Sequence, residues 1–513
     1  MASKVYSGAL IGIECERVEV ECDAGSGQFC FIIVGLPDMA VQESRERIRA
    51  ALKNSGLPFP RGRVTVNLSP ADVRKEGGAY DLPIALSIVC ADEDLYASFS
   101  QQGRMFSTQS LFAGELSLDG DVRPVKGVLP LALLAKKLGI TTLFVSEENA
   151  DEASLAQSTC VYGIRSLREL IEYFQGKREL IAHQSSEATL REDCIEHVDF
   201  SHIRGQEHAK RALEIAAAGA HNILFSGPPG SGKTLLARSL QSILPCLTLD
   251  EALEVTAIHS AAGLLSRQQP FMRTRPFRSP HHTASTASLV GGGSIPRPGE
   301  MSLAHRGVLF MDEFPEFSRS SLEALRQPLE DGHVTVSRSS GTVRFPAHCM
   351  LVAAQNPCPC GNYGKETVRC TCTPSVIAHY QQKVSGPLMD RIDLFVDVPR
   401  VTYDHLRASS SAEASCVVRE RVSRAREIQK QRFNSKGTIT NAEMRNVDTD
   451  QWCVLENDAR DLLGKAVGRL SLSARGYYRI LKIARTIADL EYCEPISLSH
   501  VAESLQYRHK PFI

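Results

Sequence analysis

The 513-residue sequence predicts an α/β fold built around a nucleotide pocket. Three observations carry that expectation. The run Gly227–Thr234, GPPGSGKT, satisfies the phosphate-loop pattern GxxxxGK[ST] in full. A short apolar run, Asn222–Ser226, leads into it as a buried strand, and Thr234–Leu240 leads out as a helix. A second apolar strand, Gly307–Met311, ends in Asp312-Glu313, the acidic pair that a nucleotide site needs downstream of its phosphate loop.

The length implies two to four domains, and a hydrophobic content of 43% is enough to bury real cores. A formal net charge of −1 excludes a global basic field, so contact with nucleic acid must come from local patches. Fifteen cysteines spread over a long chain suit reduced thiols in a cytosol better than a secreted disulfide framework. The opening residues lack a charged segment followed by an apolar one. No apolar run reaches the ~18 residues of a membrane helix. A soluble, cytoplasmic protein is the expectation.

The elements follow in order. Residues 1–175 read as mixed α/β, with strands at Gly8–Cys15, Arg17–Cys22, Phe29–Val34 and Val64–Leu68. Helices are expected at Met39–Asn54, Leu82–Cys90 and Leu129–Leu138, with Asp38 capping the first. The charges of Met39–Asn54 read as a solvated face. Residues 176–199 turn polar and read as a linker. The nucleotide-binding domain spans 200–400, and 401–513 reads as mostly helical, with helices at Cys416–Phe433 and Ala474–Leu490.

Within the phosphate loop, the backbone of Gly227, Pro228, Pro229, Gly230, Ser231 and Gly232 would wrap the phosphates. Lys233 would reach the β- and γ-phosphates, while Thr234 and Asp312 would hold magnesium. Glu313 is placed to polarise the attacking water as the base. A third strand, Cys349–Ala354, runs toward Asn356, a polar side chain able to orient that water. An Asn opening the turn before Pro357 is the plainer alternative. Arg391, just before a strand, is assigned to reach the γ-phosphate of a neighbouring subunit, and Arg475, near a helix start, to sense the nucleotide. Arg326 is a reserve for these roles. The segment Asp199–Gln206 could wall the adenine pocket.

Two segments look inserted. Residues 257–301 carry Arg273, Arg275, Arg278, His281, His282 and Arg297 with a glycine bend at Gly291–Gly293. A hairpin is expected from Val334–Val336 through a turn at Arg338–Gly341 to Val343–Phe345, and Arg338 and Arg344 are its candidate phosphate contacts. Adjacent His281 and His282 do not suit one metal ion. Cys358, Cys360, Cys370 and Cys372 form CxC-x9-CxC, two close thiolate pairs able to complete a tetrahedral zinc site.

Taken together, the chain resembles the AAA+ ATPases, and more closely the magnesium-chelatase-like ComM/YifB family. The pieces that carry the likeness are VGLPDMAVQESRERIRAAL, NLSPADVRKEGGAYDLPIAL, GQEHAKRALEIAAAG, RPFRSPHHTAS and LSARGYYRILKIARTIADL. The resemblance implies an AAA+ domain with helix-2 and pre-sensor-1 inserts, preceded by a Lon-protease-like α/β domain and followed by a helical lid. It also implies a homo-hexameric, ATP- and magnesium-dependent ring acting on single-stranded or branched DNA, linked to recombination or natural transformation. Related helicases grip their strand with hairpins like this one. The segment Gly114–Ile140 is similar to the part of Lon that supplies its catalytic lysine, but that position falls on Pro130, and the serine position on Ala79 or Tyr80. Lys126 or Lys136 could supply an amine, yet no serine stands at the matching place, so a non-proteolytic domain is expected. The family name also raises an alternative, the ATPase subunit of a magnesium–porphyrin chelatase. An ATP-dependent protease is the third and least favoured reading.

Overall fold

The structure, a computed structural model, describes residues 3–92, 109–157, 159–183, 198–266, 268–293, 296–338, 341–363, 369–401, 413–433, 440–470 and 472–508. The chain forms two compact units. One comprises Met1–Glu192 and Leu249–Arg273; the other comprises Asp193–Thr248 and Thr274–Ile513. Among the described residues, no helix is long and apolar enough to cross a membrane.

The first unit holds β1 (Ser3–Ile11), β2 (Glu14–Gly25), β3 (Cys30–Val34) and β4 (Arg63–Ser69) in one sheet of order β1-β2-β4-β3. The expected strand Gly8–Cys15 is corrected here. The chain turns at Gly12, which has φ 70°, so its two halves pair with each other as a hairpin. Alternation in β4 puts Val64, Val66 and Leu68 in the core against Val18, Val20 and Cys22 of β2. Helix Met39–Asn54 starts where expected, with the Asp38 carboxylate accepting from the Val41 N–H at 2.8 Å. Its Arg47 donates two hydrogen bonds to buried Asp81, so that part of the helix face is not simply solvated. Then come β5 (Ser110–Phe112), β6 (Glu115–Leu116), β7 (Val122–Arg123), β8 (Thr142–Ser146) and β9 (Cys160–Ile164). Here β5, β8 and β9 form a parallel three-stranded sheet and β6–β7 a short hairpin. Pro130 is buried within helix Val128–Leu138, and Tyr80 is buried at the start of helix Asp81–Ala91. Neither position offers a Ser–Lys dyad.

The inserted segment 257–301 is divided by the fold. Its beginning lies on helix Leu249–Ala262, which packs inside the first unit. The Ser260 hydroxyl donates to buried Glu152, and the Gly127 N–H donates to the Ser260 carbonyl at 3.3 Å. Burial pushes the Glu152 carboxyl above its ordinary range, so this bond joins two groups sheltered from water. The remainder, from Thr274 on, belongs to the second unit. Arg275 ties the departing and returning chain there: it donates to the carbonyls of Pro245 at 2.7 Å, Cys246 at 3.4 Å and Arg306 at 2.7 Å. Arg278 makes a two-pronged pair with Glu300 at 2.6 and 2.9 Å. Both guanidinium groups therefore serve the chain itself, as in a loop with paired charges.

The second unit is built on a five-stranded, wholly parallel sheet. Its strands are β10 (Ile223–Ser226), β11 (Phe277–Arg278), β12 (Val308–Met311), β15 (Met350–Gln355) and β16 (Leu394–Asp397), in the order β11-β12-β15-β10-β16. The short apolar strands are buried on both faces, as parallel strands must be. The strand pair β13 (His333–Arg338) and β14 (Gly341–Pro346) forms the expected hairpin. Val334, Val336 and Phe345 turn inward, and Arg344 is exposed on the other face. Residues 339–340 at its tip lie outside the described residues. The C-terminal region is helical, with Ser415–Phe433, Asn457–Leu470, Ala474–Leu490 and Leu498–Gln506 as its main elements.

Candidate nucleotide site

Three strands of the parallel sheet deliver side chains to one end. The phosphate loop follows β10, Asp312 and Glu313 follow β12, and Asn356 follows β15. Because β12, β15 and β10 are neighbours running the same way, their carboxyl ends make one crevice, the usual ligand position of such sheets. Gly230 and Gly232 adopt φ of 75° and 91°, backbone that side chains disfavour and that a tight anion-wrapping loop requires. Helix Lys233–Ile243 starts directly after the loop and points its N-terminus into the crevice.

Lys233 is buried and donates to the carbonyls of Gly227 at 2.7 Å and Pro228 at 2.9 Å, and to the Asn356 side-chain oxygen at 3.2 Å. The strand-end Asn356 thus faces the loop lysine. The Thr234 hydroxyl donates to Asp312 Oδ2 at 2.9 Å, so the two expected magnesium ligands touch. Among the described residues, the buried Ser231 hydroxyl of the loop has no hydrogen-bond partner. A buried, unpartnered hydroxyl and a buried ammonium beside adjacent oxygen ligands fit a magnesium–nucleotide polyphosphate. Glu313 sits at φ 51°, an unusual left-handed conformation for a glutamate. His282 Nδ1 lies 3.3 Å from Glu313 Oε2, a contact the sequence did not reveal.

The backbones that carry the two arginines lie at the other end of the strands. Asn222, which precedes β10, donates from its side chain to the Arg391 carbonyl at 2.8 Å. The four residues of β10 separate that point from the phosphate loop, a rise of about 13 Å. Arg391 and Arg475 converge on a single carboxylate, Glu330; the Arg475 pair measures 3.4 Å. Arg479, one turn after Arg475, donates to the Ile392 carbonyl at 2.8 Å and fixes that helix beside Arg391. Among the described residues, the buried Nε of Arg391 has no hydrogen-bond partner. Arg326, which starts helix Arg326–Asp331, pairs with Glu323 of the preceding short helix at 3.7 Å. Asp199–Gln206 is stitched to Ser415 and to the carbonyl of Pro399, at the end of β16.

The cysteine pairs form one cluster. Their sulfurs all lie within 4.8 Å of one another, with Cys358–Cys360 at 3.4 Å, Cys358–Cys370 at 3.7 Å and Cys360–Cys370 at 3.5 Å. Zinc bound by thiolates at about 2.3 Å sets an edge of about 3.8 Å, so the four sulfurs fit one tetrahedral ion. Backbone N–H groups of Asn362 and Thr371 pull the Cys360 thiol down to about 5, whereas burial and the neighbouring thiols hold Cys370 and Cys372 up, so without an ion the cluster favours a thiolate at Cys360 alone among these three. Gly361, at φ 73°, lies against the phosphate loop: a Cβ there would come within 2.4 Å of Pro229 Cδ.

Known proteins resemble this chain over nearly its whole length. Residues 199–406 match the family model described as magnesium chelatase, subunit ChlI, and 412–508 match its C-terminal model. Residues 18–149 match a further model, subunit ChlI of Mg-chelatase. Competence protein ComM of Haemophilus influenzae is 43% identical over 509 residues, covering 98% of this chain and 97% of that protein. YifB of Escherichia coli is 41% identical over 507 residues, covering 99% and 97%. The chain belongs to the magnesium-chelatase-like ComM/YifB family. A 67 kDa magnesium-chelatase subunit of Heliobacterium mobile is 26% identical over 235 residues, covering 39% of this chain and 34% of the subunit. The family is one of AAA+ ATPases, so ATP and magnesium are the cofactors it implies. The match over 18–149 is to a chelatase-subunit model, and the Lon-like description of this region stays an expectation.

Proposed function

We propose that this member of the family is an ATP-hydrolysing ring motor, a homo-hexamer in the cytoplasm that remodels branched or single-stranded DNA during recombination or transformation. One observation carries the reading. The phosphate loop, Asp312, Glu313 and Asn356 share one end of the strands, whereas the backbones of Arg391 and Arg475 lie at the other. An arginine at the far end is too distant for its own chain's γ-phosphate but is placed for that of a neighbour. Hydrolysis then requires two copies, and each turnover moves one against the next. Arg475 joins Arg391 in that role, which refines its assignment as a sensor.

The competence-protein relative supports DNA as the substrate. So does the β13–β14 hairpin, which ends at Arg338 and exposes Arg344, since pore contacts to phosphates are sequence-blind. The cysteine cluster holds structural zinc in this reading, and the N-terminal unit handles DNA without cleaving protein. The test is ATPase activity with and without single-stranded and forked DNA at two salt concentrations. Stimulation that weakens with salt supports the motor. Indifference to DNA at low salt overturns it, and stimulation by a porphyrin and its partner subunits would favour the chelatase alternative.

A further inference from the structure

We propose that His282 positions Glu313 for catalysis, an inference resting on the ATPase reading above. The segment RPFRSPHHTAS has no role in the phosphate loop or in the arginine pair, yet the fold brings it to the site. It contains β11, the strand beside β12, and its histidines follow that strand as it leaves the sheet next to Asp312 and Glu313. His282 Nδ1 lies 3.3 Å from Glu313 Oε2. Among the described residues, it is the side chain within ion-pair distance of that carboxylate.

The histidine is itself held. The His281 ring packs on it with centroids 4.1 Å apart, and Phe317 meets it edge-on at 6.5 Å. His281 Nδ1 is anchored to the Thr283 hydroxyl at 2.9 Å, and the Ala284 N–H closes a turn onto the His281 carbonyl at 2.9 Å. The Ser321 hydroxyl, on the helix after Glu313, donates to the Ala284 carbonyl at 3.4 Å. The loop and the acidic strand end are therefore fastened to each other at two levels.

Glu313 needs such a hold. Its carboxylate is half exposed and its backbone is fixed in the left-handed region, which sets the origin of the side chain but not its torsions. A base that must lie in line with the γ-phosphate loses rate for every rotamer that points elsewhere. At ion-pair distance, His282 restrains one carboxylate oxygen and leaves the other to take the proton of the attacking water. The paired histidines are thus an orienting unit, which accounts for their adjacency without a metal.

The experiment measures kcat and ATP KM, with nucleotide binding, for the full-length protein and for His282→Ala, His282→Asn, His282→Gln, Glu313→Gln and the double variant His282→Ala/Glu313→Gln. A positioned base contributes about 10²–10⁴ in rate, and loss of its orientation alone removes roughly tenfold of that. The expected result is a kcat about tenfold lower for His282→Ala with ATP KM and binding within about twofold of the parent. The Asn amide nitrogen stands where Nδ1 stood, so His282→Asn recovers most of the loss and His282→Gln does not. The double variant is no slower than Glu313→Gln alone. Parent-like or raised turnover in His282→Ala overturns the inference, as does His282→Asn no better than Ala. If Glu313→Gln itself turns over normally, the base assignment fails and this inference with it.

Discussion

Removing metal from the cysteine cluster should weaken ATP binding at a site that contains no cysteine. The three measured sulfur separations, 3.4, 3.5 and 3.7 Å, need only small adjustments to reach the ~3.8 Å edge of a zinc tetrathiolate. The fold thus pre-assembles the ligands, and zinc should bind at one ion per chain. Two connections run from the cluster to the nucleotide site. Cys358 follows Asn356 by two residues, and Asn356 accepts from Lys233 at 3.2 Å. Gly361 rests on Pro229, with no room for a Cβ. Releasing the clasp loosens the partner of an ammonium, a hydrogen bond worth about 1.5–3 kcal/mol. Each ~1.4 kcal/mol is tenfold in affinity, so chelation should raise the ATP KM about tenfold or more.

The assay is elemental analysis of protein grown with zinc, followed by ATPase kinetics before and after chelation and again after zinc is restored. Cys370→Ser should reproduce the chelated kinetics. Gly361→Ala, which keeps all four thiolates, should retain zinc yet raise KM through the clash with Pro229. Absence of zinc from the purified protein refutes the site. Zinc that can be removed and restored with no change in KM refutes the coupling.

Further outcomes follow from the same geometry. Lys233→Ala should lose ATP binding, whereas Glu313→Gln should bind ATP normally and lose turnover by about 10²–10⁴, both read by nucleotide titration and phosphate release. Arg391→Ala should assemble but hydrolyse at least ~10³-fold more slowly. Mixing it with Lys233→Ala protein should restore part of the rate, and a mixture as inactive as its components would remove the trans assignment. In the N-terminal unit, burial lifts the Asp81 carboxyl to about 6, although Arg47 and the Leu116 N–H oppose this. The folded chain therefore holds that proton to higher pH than the unfolded chain. The resulting stability is complete below about pH 4 and is lost as pH rises through about 6, roughly 2–3 kcal/mol in all. Urea unfolding from pH 4 to 7 should show this slope, and Asp81→Asn should flatten it.

The nucleotide site was legible because its chemistry is local in the chain. A glycine loop must sit between a strand and a helix, and an acidic pair must end an apolar strand; GPPGSGKT and VLFMDE state both within a few residues. Even Asn356 could be placed, since a third apolar run had to lie beside the first two. The sheet order β11-β12-β15-β10-β16 then brings all three ends together. What the sequence hid is long-range. Nothing in Leu249–Ala262 names the first unit as its packing partner, because an apolar helix face records burial but not against what. Nothing in the sequence names what satisfies Arg275 and Arg278; the fold supplies three carbonyls for the first and Glu300 for the second. Likewise Glu330 and Arg391 are 61 residues apart, and only the fold shows one carboxylate gathering Arg391 and Arg475 at the strand ends away from their own phosphate loop. That separation has a mechanical consequence. If each chain's pocket lacks its own arginines, the energy of phosphate cleavage cannot be released within one copy. It must appear at the contact between copies, and coupling to motion is then a property of the sheet's two ends.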